Sequence, residues 1–101
     1  MWRRMRDWRS PAVAVDLGTA WTRLALATGR IRIEAASSVA GRAPLRGGVV
    51  VDRDAAIGLL TPLLARMRRF AGSRPRILAG VPSDADADER AAAAEALRAS
   101  G

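Results

Sequence analysis

The sequence contains no cysteine and no histidine. Disulfides, thiol nucleophiles, an imidazole base and the common zinc sites are therefore excluded, and the redox compartment is left open. Tyrosine is absent and phenylalanine occurs once. No uninterrupted apolar run approaches the roughly 20 residues that span a bilayer. The N-terminus also lacks the apolar region and cleavage site of a secretory signal, so the expected compartment is the cytoplasm. Large side chains are scarce and alanine is abundant, so each buried residue removes little area from water. At 101 residues the chain has room for one small domain with one modest core, and two domains are excluded.

What is abundant is arginine. Seventeen basic residues, arginine throughout, stand against ten acidic ones, for a formal charge of +7. Such an excess attracts anionic surfaces in general and says little about fold. A genome rich in Arg and Ala codons would give much of the same composition. Beyond the N-terminus no aromatic residues alternate with the arginines to stack on bases, which argues against nucleic acid as the partner.

The opening M-W-R-R-M-R-D-W-R reads as a helix with Met1, Trp2, Met5 and Trp8 in one stripe. Arg3, Arg4, Arg6 and Arg9 flank and oppose that stripe. Indoles settle at headgroup depth and guanidinium groups pair with acidic lipid, so residues 1–11 are expected to form a membrane-interacting segment. Ser10-Pro11 ends it, because the residue before proline is pushed out of the helical region. A basic tail whose tryptophans pack on their own domain is the plainer alternative.

From position 12 onward the pattern is that of an α/β domain. Val13 to Leu17, Thr22 to Ala27 and Ile31 to Ala35 alternate apolar and polar residues, with A-T-G-R and D-L-G-T-A-W between them. Three short strands with tight turns predict an antiparallel meander. Ser37 to Gly48 reads as a loop, followed by a brief strand over 48–51. Asp52 or Asp54 can cap a helix running to about Phe70, with Ile57, Leu60, Leu64 and Met67 toward the core and arginines in the last turns. Pro62 would bend that helix or start its second half. Ile77 to Val81 reads as a fourth strand, parallel to one of the first three, and an Ala-rich helix closes the sequence. Asp84, Asp86, Asp88 and Glu89 suit the cap and first turn of that helix better than a calcium loop, whose glycine and distal glutamate are missing.

The candidate chemistry lies in D-L-G-T-A-W-T. A hairpin turn that exposes successive backbone N–H groups can cradle a phosphate. Gly18 permits close approach, the Thr19 and Thr22 hydroxyls add donors, and Asp16 can hold a divalent cation directly or through water. A Walker loop is excluded by the missing lysine and spacing. An ordinary hairpin turn is the alternative reading.

V-A-V-D-L-G-T-A-W-T, with the following strand and the turn at Thr28-Gly29-Arg30, resembles the opening of the bacterial actin-like, rod-shape-determining ATPases of the MreB/Mbl type. Ser37-Ser38-Val39-Ala40, Gly48-Val49-Val50-Val51-Asp52, Val81-Pro82-Ser83 and Asp88-Glu89-Arg90-Ala91 resemble later elements of that family in the same order. The resemblance covers Val13 to Gly101. It implies part of the actin-like (RNase H-like) ATPase fold, a three-stranded antiparallel meander extended by a parallel strand with helices packed on it. It also implies a role in cell-shape determination, with ATP and Mg2+ as ligands and self-association or homologous actin-like subunits as partners. The location implied is cytoplasmic, at the anionic inner face of the cell membrane. By resemblance, Gly18, Thr19, Ala20, Trp21 and Thr22 fall at the first phosphate loop and Asp16 acts on the magnesium ion. Met1 to Arg9 is similar to the membrane-targeting N-termini of some members. At Trp21 the family usually has asparagine. Between Ala40 and Gly48 stand seven residues where the family inserts a small subdomain. The second phosphate loop, the catalytic glutamate region and the adenosine site have no counterpart in residues 1–101. The expectation is thus one wall of a nucleotide cleft, without turnover alone. The alternative is a non-enzymatic membrane- or protein-binding adaptor that keeps the fold as scaffold.

Overall fold

The computed structural model describes residues 12–72 and 75–101. The expected membrane segment, with Trp2, Arg3, Arg4, Met5, Arg6, Trp8 and Arg9, lies outside the described residues, as does the division at position 11. Three strands come first, β1 (Ala12–Leu17), β2 (Trp21–Leu26) and β3 (Arg32–Ala36). A two-residue pair follows, β4 (Leu45–Arg46) and β5 (Val49–Val50), then helix α1 (Arg53–Ala71), strand β6 (Arg76–Gly80) and helix α2 (Ala87–Ala99).

The main sheet has the order β3-β2-β1-β6. β1, β2 and β3 form the predicted antiparallel meander, with Val15 opposite Leu24 and Leu24 opposite Ile33. β6 runs parallel to β1, with Val13 beside Ile77 and Asp16 beside Gly80. Parallel neighbours require a crossover, and α1 lies within the one between them.

Alternation assigns the two faces of the sheet. Val13, Val15, Leu17, Leu24 and Ile33 turn inward and join Leu59, Leu60, Leu63, Leu64 and Met67 of α1 in one core. Ala93, Ala96 and Leu97 of α2 complete it. The opposite face carries Ala14, Asp16, Arg23, Ala25, Arg32, Glu34 and Leu78, with Leu78 59% exposed. Arg23 reaches across this face to Glu34 at 3.3 Å.

Two elements depart from the sequence expectation. The expected loop over 37–48 contains β4, which pairs with β5 through Leu45–Val50 and Arg46–Val49, while Pro44 and Leu45 are buried. Two residues are too few for a readable alternation, so only the Gly47-Gly48 turn signalled this hairpin. The buried stripe of α1 is rotated from the expected one, taking in Leu59 and Leu63 and leaving Ile57 half-buried. Pro62 lies on an exposed part of a single continuous helix.

Both helix starts are capped by aspartate. The Asp52 side chain accepts from the Ala55 N–H at 3.1 Å, and the Arg42 guanidinium clamps it at 2.9 and 2.6 Å. The cap hydrogen bond and then Arg42 hold its carboxyl below the usual value. At α2, Asp86 accepts from the Glu89 N–H at 2.8 Å, and Glu89 accepts in turn from the Asp86 N–H at 2.9 Å. That reciprocal pair is a capping box, as the acidic run predicted.

Candidate functional site

In an open sheet with parallel neighbours, ligands gather outside the carboxyl ends of the strands, where loops diverge and helices begin. Here the carboxyl end of β1 carries Gly18-Thr19-Ala20, and that of β6 carries Val81-Pro82-Ser83. The β4–β5 turn joins them. Thr19 Oγ1 accepts from the Gly48 N–H at 3.4 Å. Gly48 has φ +79°, and a Cβ there would come within 3.0 Å of the Pro82 ring and 3.8 Å of the Leu17 carbonyl oxygen. Any other residue at 48 would strain the backbone and push these three segments apart.

The turn itself is held from below. Thr22 is fully buried, and its hydroxyl meets Ser37 Oγ at 2.8 Å. Ser37 in turn donates to the Gly18 carbonyl at 2.7 Å. Because Ser37 spends its one hydroxyl hydrogen on Gly18, Thr22 is the donor in the other bond. The Ser37 N–H also donates to the Ala20 carbonyl at 2.8 Å. A Cβ at Gly18 would overlap the Trp21 carbonyl oxygen, so the tight turn requires glycine. Two carbonyls of the turn thus point into the protein. The N–H groups of Gly18, Thr19 and Ala20 meet no protein acceptor among the described residues. Exposed consecutive N–H groups on a rigid turn suit an anion.

The expected site residues divide into two groups. Gly18, Thr19, Ala20 and Trp21 come together at the end of β1, with Trp21 48% exposed beside them. Thr22 faces the core, where its hydroxyl holds Ser37. Asp16 lies on the open face of the sheet with its side chain 71% exposed, 3.8 Å from the Arg23 guanidinium. Among the described residues no three carboxylates come together to hold a metal ion. One carboxylate is nonetheless what magnesium ordinarily takes from a protein when nucleotide phosphates and water complete its octahedron. Ser37 was not among the expected site residues. Its only signal was a small polar residue just after the third strand, on the side where the meander turns inward.

No family model and no curated protein matches the chain. Solved structures do match in fold, among them the following three. MreB5 of Spiroplasma citri bound to ADP superposes with a TM-score of 0.74 at 22% identity, over 90% of this chain and 35% of that one. The same protein bound to AMPPNP gives 0.71 at 22% identity, over 90% and 36%. The ethanolamine utilization protein EutJ from Carboxydothermus hydrogenoformans gives 0.67 at 24% identity, over 88% and 33%. The fold is that of a partial actin-like subdomain. This actin-like chain spans about a third of the length of the structures it matches. No described helix is long and apolar enough to cross a membrane.

Proposed function

We propose that residues 12–101 act as the N-terminal part of an MreB-like cytoskeletal protein for cell-shape determination. In this reading Gly18, Thr19, Ala20 and Trp21 form the first phosphate-binding loop of an ATP site. Thr22 holds the loop in shape through Ser37, and Asp16 takes a water of a phosphate-bound Mg2+. The observation that carries the reading is the Gly18–Ala20 turn, whose N–H groups are open at the carboxyl end of β1 in an actin-like sheet. Two nucleotide-bound MreB structures share that sheet's fold, which supports the assignment. The implied partners are further actin-like subunits and the anionic inner surface of the cell membrane, reached through Met1–Arg9.

The turn can orient phosphates and offset their charge, but hydrolysis also needs a positioned water and a second source of electrostatic stabilisation. The isolated chain is therefore expected to bind MgATP weakly and to release no phosphate above background in a continuous phosphate assay. Magnesium-dependent turnover that disappears in Asp16→Ala would contradict this. For the N-terminal segment, Trp2→Ser with Trp8→Ser should abolish co-sedimentation with phosphatidylglycerol vesicles at physiological salt, and leave the far-UV spectrum of the domain unchanged. Undiminished sedimentation would reduce the segment to a basic tail.

A further inference from the structure

Asp16, Arg23 and Glu34 stand in one row across three strands of the sheet. The register sets Asp16 of β1 opposite Arg23 of β2, and Arg23 opposite Glu34 of β3. Side chains directly opposite each other on adjacent antiparallel strands share a face and lie within reach. Arg23 uses two different nitrogens in this row. Its Nε donates to the Glu34 carboxylate at 3.3 Å, and its Nη1 lies 3.8 Å from that of Asp16. On the fourth strand the neighbour of Asp16 is Gly80, which adds no side chain. The register of the meander alone therefore fixes the row, whatever adjoins β6. Both members of the Asp16–Arg23 pair have side chains more than half exposed, at 71% and 55%, so the pair adds little to stability. Its effect is on the charge beside the turn.

Asp16 precedes Gly18 by two residues, about 7 Å along the strand. A bare carboxylate at that range repels the oxygens of a phosphate seated on the 18–20 amides, and a divalent ion shared between carboxylate and phosphates is the usual remedy. Here the chain carries a cation of its own. A guanidinium is charged at every working pH and is weakly hydrated, so it sits beside a carboxylate at little desolvation cost. Glu34 holds it there from the far side. We propose, on the reading of Gly18–Ala20 as a phosphate loop, that Arg23 is the built-in counter-ion of Asp16, so that nucleotide phosphates bind the turn without a divalent cation. Arg23 acts through Asp16 and touches no phosphate in this role. When Mg2+ accompanies the nucleotide, Asp16 meets one of its waters and Glu34 keeps Arg23.

The test uses the full 101-residue chain, 15N-labelled and titrated with ATP in excess Mg2+ and in excess EDTA, with affinity read from the Gly18, Thr19 and Ala20 amides. The native chain should bind the two forms almost equally. Arg23→Leu should weaken ATP in EDTA about tenfold relative to ATP in Mg2+, the effect of one unmasked charge at roughly 7 Å in a partly hydrated site. Arg23→Leu with Asp16→Asn removes the carboxylate together with its counter-ion and leaves the net charge of the chain as it was. This double variant should bring the two affinities back together, a reversal that loss of structure would not produce. Metal-dependent binding by the native chain, or an unmoved ratio in Arg23→Leu, would overturn the proposal and leave the phosphate-loop reading standing. A double variant that keeps the ratio of Arg23→Leu would overturn it in favour of direct contact between Arg23 and phosphate. If the 18–20 amides answer neither form, the phosphate-loop reading fails and this proposal with it.

Discussion

Thr22, Ser37 and the Gly18 carbonyl form a short relay of hydrogen bonds beneath the turn, and its two hydroxyls are unequal. Thr22→Val would remove the end of the relay, and Ser37 would keep its bond to Gly18, so the cost should be about 1 kcal/mol. Ser37→Ala would leave both a fully buried hydroxyl and the Gly18 carbonyl without their partner, at about 2 kcal/mol. Urea denaturation of the two variants checks the order. Equal losses would mean that the relay does not hold the turn. Which residues make the site was partly legible in the sequence. Gly18 and Thr19 announced a turn, whereas the placing of Asp16 opposite Arg23 comes only from the register of the sheet. Thr22 looked like a phosphate donor for its hydroxyl beside the turn, although strand alternation already puts it on one face with Leu24 and Leu26. The pairing of β2 with β3 brings Ser37 beside it and gives that buried hydroxyl its partner.

At the scale of elements, strong periodicity was read correctly and short or rotated features were not. The four strands of the main sheet and both helices were legible from alternation, caps and turn residues. The brief strand over 48–51 was legible as β5, but its partner β4 was not, because pairing of two residues against two is fixed by burial of Pro44 and Leu45 and not by local pattern. The α1 stripe was misplaced because Ile57, Leu59, Leu60, Leu63 and Leu64 leave the apolar arc broad, and the sheet chooses which part of it to cover. Pro62 is the clearest cost inside an element, since it removes a backbone donor and crowds the carbonyl of Gly58. Its side chain is exposed, so replacement forfeits little packing. Pro62→Ala should raise stability by about 1–2 kcal/mol after allowing for the freer unfolded chain. Differential scanning calorimetry should show a higher Tm, and a lower one would mean that the helix depends on a bend at this residue.

For the whole molecule, the two ends of the sheet differ in chemistry. The carboxyl ends of β1 and β6 gather Gly18–Ala20, Gly48 and Pro82 around open backbone donors. At the opposite end, Ala12 pairs beside Arg76. An anion attracted only by net charge would favour the arginines, whereas a phosphate held by the turn would not. A titration of 15N-labelled chain with MgATP, followed by heteronuclear NMR, separates the two most directly. The account predicts amide shifts concentrated at Gly18, Thr19, Ala20 and Trp21, with smaller ones at Gly48 and Ser83, and their loss in Gly18→Val. Shifts spread over the arginine-bearing surfaces, with the 18–21 amides unmoved, would contradict the assignment of this turn as a phosphate-binding loop.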